Sequence, residues 1–354
     1  MSLPVEPPVA PMLARAAPEI PGDGGWQYEP KWDGFRAVVF RDGERVELDS
    51  RNERPLTRYF PELIDPLRAS LPARAVVDGE IVVMTRRGLD FDLLSQRIHP
   101  AESRVRRLAV ETPAAFVAFD LLALGDDDLR PRPLAERRAL LESAVEAGDR
   151  PVRITPATSG RATAEDWFDR FEGAGLDGVV AKRGSESYRE GERGWVKVKH
   201  RRTADCVVGG LRLHKDGRGV GSLLLGLHDS SGVLHHVGVA SSFDARTRER
   251  LLAEVEPLRE GAALSHPWIR DGAPDGPGGR VPGAPSRWTG GRDLSWEPLR
   301  PERVVEVAYD HLQGDRFRHT TRLVRWRPDR DPGSCTYAQL EVPVPAELRQ
   351  VFGG

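Results

Sequence analysis

Glu29-Pro30-Lys31-Trp32-Asp33-Gly34-Phe35-Arg36 is the stretch on which the reading of this chain turns. Asp33-Gly34 is turn chemistry, because glycine accepts backbone angles that other residues resist. The apolar run 35–40 reads as a strand, and Asp42-Gly43 between it and 45–48 is a hairpin signal. Lys31 therefore sits at a strand end beside a turn. It is one of only five lysines among 52 basic residues, the others being Lys182, Lys197, Lys199 and Lys215. Everywhere else the cation is arginine. A guanidinium stays charged at any working pH and cannot attack as a free amine, so the retained lysines mark where an amine is needed. Lys182 closes Asp177-Gly178-Val179-Val180-Ala181-Lys182, and Lys197 and Lys199 lie in Trp195-Val196-Lys197-Val198-Lys199.

Composition sets outer bounds. A chain of 354 residues with 39% hydrophobic and 30% charged residues suits two or three globular domains. No apolar run reaches the roughly 18–20 residues of a membrane-crossing helix, and 1–21 lacks a signal-peptide pattern. The expectation is a cytoplasmic protein with no membrane partner. Cys206 and Cys335 are too few for a disulfide framework or a four-thiolate zinc site. With a net charge of −2, a nucleic-acid partner needs a clustered basic face rather than a global excess.

Working outward, 1–25 reads as an extended, Pro-rich lead-in. A helix is predicted over 57–71, weakened by Pro61 and Pro66. A buried strand over 75–84 is interrupted by Asp78-Gly79-Glu80, and 116–122 is another strand with Asp120 inside it. Helices are predicted over 133–147 and 163–173, the second with Thr163 and Asp166 as a cap pair. Strands follow at 178–182 and 195–199. After His200 the chain turns glycine-rich, with short strands at 206–208, 222–227 and 233–239, one helix at 244–260, an exposed loop at 271–291, and strands at 304–309 and 322–326. Short strands around one helix suggest a small β-barrel. The expected fold class is α+β, with one domain over 1–202 and a second over 203–354. His235-His236 reads as strand surface, not as a metal site.

The blocks carry chemistry. An amine nucleophile must shed its proton, which burial and neighbouring cations favour. Lys197, Lys199 and Arg36 are candidates for those cations, and the same charges hold phosphate oxygens. A nucleophilic lysine among phosphate-binding cations suggests attack on a nucleotide α-phosphate. Glu80, in an apolar run where an unpaired acid is costly, reads as a ligand for a ribose hydroxyl or a metal. Asp177 reads as an oxygen ligand for magnesium, and Phe119 as a face for a base.

In order, Lys31 to Arg36, Ser50-Arg51-Asn52, Asp78-Gly79-Glu80, Phe119-Asp120, Asp177 to Lys182 and Lys197-Val198-Lys199 resemble the motifs of the covalent nucleotidyltransferase superfamily, and within it the ATP-dependent DNA ligases. Arg318-His319 and Arg325-Trp326-Arg327-Pro328-Asp329-Arg330 resemble that family's last motif. The likeness spans about residues 8 to 340. It is nearest the bacterial ligase C type and is similar also to the ligase module of bacterial end-joining ligase D. It implies an adenylation domain of antiparallel sheets and helices followed by an OB-fold barrel. It implies that Lys31 takes AMP covalently from ATP, with Asp33, Arg36, Lys197 and Lys199 completing the reaction machinery. Glu29 would accept from the adenine amine, Arg51 and Glu80 hold the ribose side, and Phe119 stack on the base. Lys182 is expected beside the nucleotide. Glu80 and Asp177 would hold Mg2+ or Mn2+. Arg327, Asp329 and Arg330 would orient pyrophosphate in the first step.

Two departures stand out: Asp177 and Arg330 replace the family's usual Glu and Lys, which keeps the charges and leads to an expected preference for manganese. The implied partner is nicked double-stranded DNA, gripped through its phosphates by Arg316, Arg318 and Arg322, with a repair polymerase beside a monomeric enzyme. The short segment ahead of Lys31 and the two cysteines argue against an NAD-dependent ligase. An RNA ligase shares these motifs. An RNA-capping guanylyltransferase does too, although Glu29 would repel the guanine O6. A non-catalytic OB-fold nucleic-acid binder is the answer of a different class.

Overall fold

In the computed structural model, residues 2–22, 24–86, 88–146, 151–200, 202–264, 266–269, 281–282 and 294–340 are described. Most of the loop expected over 271–291, and residues 341–354, which the expected second domain included, lie outside them. The chain divides into two units, Met1–His200 and Arg201–Val342.

The strands of the first unit are β1 (Ala14–Ala16), β2 (Trp26–Pro30), β3 (Phe35–Asp42), β4 (Arg45–Ser50), β5 (Arg74–Thr85), β6 (Gly88–Leu89), β7 (Ala114–Leu124), β8 (Asp127–Asp128), β9 (Val152–Ile154), β10 (Val179–Arg183) and β11 (Trp195–Val198). They make two sheets, one ordered β1-β11-β10-β2 and the other β4-β3-β5-β7-β8 with β6 on β5 and β9 on β7. The hairpin at Asp42-Gly43 forms, with Asp42 paired to Arg45 and Gly43 at φ 60°. Alternate residues of β3, β5 and β7 fill two different cores. Ala37, Val39, Val77, Ile81 and Phe116 face one side. Val38, Phe40, Val76, Phe119 and Leu122 face the other, against Tyr188 and Trp195. Each large apolar side chain so buried is worth about 1.5–3 kcal/mol.

Four expectations change in the first unit. The lead-in is a packed strap, with Leu3, Val5, Val9 and Met12 buried in the second of these cores. The helix expected over 57–71 is two 3-10 turns, Thr57–Tyr59 and Pro61–Leu63, and a short helix, Ile64–Ser70. Phe60, at φ −133° and ψ 55°, breaks it, because a residue before proline is driven out of the helical region. The helix expected over 163–173 spans Arg161–Arg170, with Gly160 rather than Thr163 as its N-cap. β5 runs uninterrupted through Asp78-Gly79-Glu80. Asp78 is tolerated there because its buried carboxylate is paired. Gly79 is required because an added Cβ would lie 2.3 Å from the Phe116 ring and 2.6 Å from the Val117 carbonyl.

The second unit contains β12 (Arg202–Leu213), β13 (Val220–His228), β14 (Leu234–Ser241), β15 (Glu297–Tyr309), β16 (Leu312–Gln313), β17 (Arg316–Phe317) and β18 (Arg322–Trp326). Its main sheet is ordered β14-β13-β12-β15-β18. Thr321, just ahead of β18, closes it: its N–H donates to Val239 and its carbonyl accepts from Ser241, both on β14. A helix, Ala245–Val255, capped by Asp244, follows β14. A closed five-stranded barrel with a helix between its third and fourth strands is an OB-fold. His236 is not strand surface. It is buried against Trp268 with Nδ1 3.2 Å from the Leu225 carbonyl, while its neighbour His235 lies 2.9 Å from Asp229. Among the described residues no three His, Cys, Asp or Glu side chains gather to hold a metal. No described helix is long and apolar enough to cross a membrane.

Two outcomes are expected of this packing. Gly79→Ala overfills the centre of the first unit and costs about 1–3 kcal/mol in urea unfolding of the full chain. Burial first, then Arg316, pushes the His236 pKa down from 6.5 to about 3. Below 6.5 the unfolded chain takes up a proton that the folded barrel refuses, so stability is lost as pH falls from 6.5 toward 3. His236→Gln is expected to flatten that arm of a stability-versus-pH curve.

Candidate active site

Lys31 occupies the crossing between the two sheets of the first unit. β2 ends at Pro30 in one sheet and β3 begins at Phe35 in the other. The turn between them must be tight: an added Cβ on Gly34 would lie 2.2 Å from the Ile81 carbonyl. Lys31 N–H donates to the Gly178 carbonyl at 2.8 Å, and Asp177 N–H donates to the Lys31 carbonyl at 2.8 Å. This reciprocal pair fixes the lysine against the start of β10. It also explains Gly178, which holds φ +114° with the Val198 carbonyl only 2.0 Å from where a Cβ would stand.

A cavity opens between the sheets. Its wall includes Glu29, Lys31, Arg36, Arg51, Glu80, Phe119, Lys182 and Lys197, all named by the sequence reading. It also includes Leu13, Trp32, Arg193 and Trp195, to which that reading gave no role. Asp33, Asp177 and Lys199 are not on the wall. Asp177 sits behind Lys31, and its Oδ2 lies 2.7 Å from both Lys31 Nζ and Lys199 Nζ. Arg327, Asp329 and Arg330 belong to the other unit.

The wall cations fall into two groups. Lys182 is 1% exposed and pairs with the buried Glu29 at 2.7 Å, with its Nζ over the rings of Phe119 and Trp195 at 4.5 and 4.2 Å. Burial holds its pKa below the ordinary lysine value, against the pull of Glu29. The other Glu29 oxygen accepts from Gln27 Nε2 at 2.7 Å. Arg36 forks onto Asp78, Nε to Oδ1 at 2.6 Å and Nη2 to Oδ2 at 2.5 Å, and also donates to the Met12 carbonyl. Its guanidinium lies 4.6 Å from the Phe119 ring centre and 4.9 Å from that of Trp195. Tyr188 adds a 2.6 Å hydrogen bond to Asp78.

Among the described residues, Arg51, Arg193 and Lys197 on the wall have no carboxylate within ion-pair distance. Burial first, then Lys199, Lys31 and Arg51, lower the Lys197 pKa. Burial pushes the Glu80 carboxyl up to about 7, against the pull of Arg36 and Lys31. Cations without an anionic partner, facing a cavity, are a receptor for anionic oxygens. Phe119, 6% exposed, presents what is left of an aromatic surface.

The residues present also fit a divalent ion. Glu80 and Asp177 are hard oxygen donors beside an anion-receptive wall. Magnesium-type ions are held by one or two carboxylates together with substrate phosphates and water.

In the second unit Arg327 binds two carboxylates. Its Nη1 donates to both Asp205 oxygens at 3.0 Å, and its Nε and Nη2 donate to Asp329 at 2.9 and 2.8 Å. The Arg327 guanidinium holds Asp329 well below the usual carboxylate range, at about 2. Asp205 was not singled out in the sequence; nothing at position 205 announces a partner 122 residues away.

Comparison with known proteins agrees with this geometry. Residues 11–199 match the family described as ATP dependent DNA ligase domain, and 216–330 that described as ATP dependent DNA ligase C terminal region. DNA ligase C of Mycobacterium tuberculosis is 56% identical across 100% of this chain and 99% of its own length. The same organism's multifunctional non-homologous end joining DNA repair protein LigD is 33% identical over 66% of this chain and 29% of its own length. A solved structure of a Lig E DNA ligase superposes with a TM-score of 0.54 at 17% identity, over 89% of this chain and 99% of that one, and so shares its fold. With both units matched in order and a ligase C relative aligned from end to end, this chain belongs to the ATP-dependent DNA ligases.

Proposed function

We propose that Lys31 is the residue through which this DNA ligase takes AMP from ATP, in DNA repair and recombination. The observation that carries the reading is the position of Lys31 on the wall of an intersheet cavity shared with Arg51, Arg193 and Lys197. Unprotonated Nζ attacks the α-phosphorus; a P–N bond forms and the P–O bond to pyrophosphate breaks. A 5′-phosphate oxygen at the nick then attacks the same phosphorus, the P–N bond breaks, and the lysine is regained. The 3′-hydroxyl finally attacks the 5′-phosphorus, gives up its proton and expels AMP.

The chain's other residues bind and orient. Glu29, held by Gln27 and Lys182, accepts from the adenine amine, while Phe119 lies against the base. Arg51 and Glu80 face the ribose side. Arg36, with two nitrogens fixed by Asp78, is a preset cation at the base of the phosphate path. Lys197 faces the α-phosphate, and Asp33 and Lys199 support the lysine turn. Arg327, Asp329 and Arg330 orient pyrophosphate during loading. Magnesium or manganese would be held by Glu80 and Asp177 and would supply positive charge to the phosphates. Asp177 itself holds the Lys31 ammonium at 2.7 Å and so orients it.

The repair setting is supported by the similarity to a DNA repair relative and by the substrate's chemistry. A gap must be filled before a 3′-hydroxyl abuts a 5′-phosphate, so a repair polymerase is the natural companion. The enzyme is read as a monomer, and the DNA substrate supports a cytoplasmic location.

The test is intact-protein mass after incubation with ATP and either ion. Wild type is expected to gain one AMP, and Lys31→Ala and Lys31→Arg none. An adduct that survives in Lys31→Ala, or that forms from GTP in preference to ATP, would sink the assignment. Phosphate contacts from Arg316, Arg318 and Arg322 make a second outcome expected. Sealing should fall roughly tenfold or more between about 50 and 200 mM salt, while AMP loading of Lys31 changes little. Equal salt sensitivity of the two steps would remove these arginines from DNA binding.

A further inference from the structure

On the barrel, one carboxylate holds two arginines that the loading step is read to need. Asp205 lies on β12, opposite Glu306 of β15, which in turn lies opposite Arg325 of β18. Arg325 binds Glu306 at 2.7 Å. Two residues further on, Arg327 reaches back to both oxygens of Asp205, and Arg330 Nε lies 3.2 Å from Asp205 Oδ2. Asp205 therefore sits between two guanidiniums with its side chain 13% exposed.

The backbone beneath this carboxylate is braced separately. β13 pairs with β12 only from Val207 onward. At Asp205 the peptide groups on that side would lack a strand partner. The Gln339 side chain takes the strand's place: Asp205 N–H donates to Gln339 Oε1 at 2.7 Å, and Gln339 Nε2 donates to the Asp205 carbonyl at 2.9 Å. Gln339 Nε2 also donates to the Thr336 carbonyl. A side chain that hydrogen-bonds both polar groups of one residue fixes the origin from which the carboxylate projects.

Arg327 is close to saturation, with Nε and Nη2 on Asp329 and Nη1 on Asp205. Arg330 is not: its Nε lies at ion-pair distance from Asp205 without hydrogen-bonding it, and no side-chain hydrogen bond of Arg330 is found among the described residues. The two arginines thus differ in what remains for a ligand. Arg327 is braced into the turn, and Arg330 keeps its Nη atoms for phosphate oxygens.

We propose that Asp205 is a positioning residue for nucleotide loading, setting the turn 327–330 so that Arg330 meets the leaving pyrophosphate. This rests on the reading above that Arg327, Asp329 and Arg330 serve the first step. Losing the shared anion leaves two like charges to repel one another and frees the turn. A misplacement of about 1 Å at a reacting group costs on the order of a hundredfold in rate.

The experiment compares full-length wild type, Asp205→Asn and Arg327→Ala in two assays. One follows AMP loading from ATP in a single turnover; the other follows sealing of a nick whose 5′ end already carries AMP. For Asp205→Asn, loading is expected to slow by about 10–100-fold while sealing of the pre-adenylated nick changes by less than about threefold. Equal losses in both assays would mean a structural role and overturn the proposal, as would unchanged loading. If Arg327→Ala loads normally, the reading of the last motif fails and takes the proposal with it. If Arg327→Ala loses loading and Asp205→Asn does not, only the role of Asp205 fails. Should Asp205→Asn not fold, Asp205→Glu keeps the charge and moves it by one methylene. The same selective loss of loading is then expected, and its absence overturns the proposal.

Discussion

The ion pair between Arg36 and Asp78 is the contact on which the first unit is assembled. Asp78 is wholly buried on the central strand β5, and Arg36 sits opposite the cavity-facing Glu80 on the neighbouring strand β3. A buried charge pair of this kind is tolerated only when every donor and lone pair finds a partner. Here the Met12 carbonyl accepts a further bond from Arg36 Nη2, and the Tyr188 hydroxyl donates to Asp78 Oδ2. The pair therefore draws in the N-terminal strap and the segment ahead of β11. Packed against the Phe119 and Trp195 rings, it makes a floor of fixed charge and fixed shape.

Above that floor, pairing decides which cations belong to the protein and which are left for a ligand. Glu29 takes Lys182, Asp78 takes Arg36, and Asp177 takes Lys31 and Lys199 together. A single Asp177 oxygen is shared by the two ammonium groups of Lys31 and Lys199, so one acid positions both. Arg51, Arg193 and Lys197 hold no such carboxylate among the described residues, which leaves the cavity wall with unmatched positive charge.

The barrel repeats the device in a different fold. Asp205 stands on a central strand, as Asp78 does, and carries arginine from a segment far along the chain. In both places an acid on the most constrained element orients a long, flexible cation. Side-chain entropy is the reason: an unsupported arginine samples many rotamers, and a fork onto a fixed carboxylate selects one.

Much of this protein was legible from residue order alone. Scarce lysines in ordered blocks, the Asp33-Gly34 turn and the Asp42-Gly43 hairpin are local signals, and local sterics decide them. With the short strands after His200 and the resemblance to ligase motifs, they led to the α+β core, the barrel, and the wall residues Glu29, Lys31, Arg36, Arg51, Glu80, Phe119, Lys182 and Lys197. Local rules also misled: residue order suggested one long helix over 57–71, although Pro61 and Pro66 weakened it, and a cap at Thr163, whereas the pre-proline clash at Phe60 breaks the first and the second helix starts after Gly160. The lead-in read only as an extended, Pro-rich run, and burial of its apolar residues Leu3, Val5, Val9 and Met12 depends on a core built by distant strands. Only the tertiary structure decided the partners of the charges. Lys182 on Glu29, Tyr188 on Asp78, and Gln339 and two arginines on Asp205 join residues as far apart in the chain as Glu29 and Lys182. A residue's type and neighbours fix what it is able to bind, but which of many equivalent arginines it meets depends on how the strands are brought together.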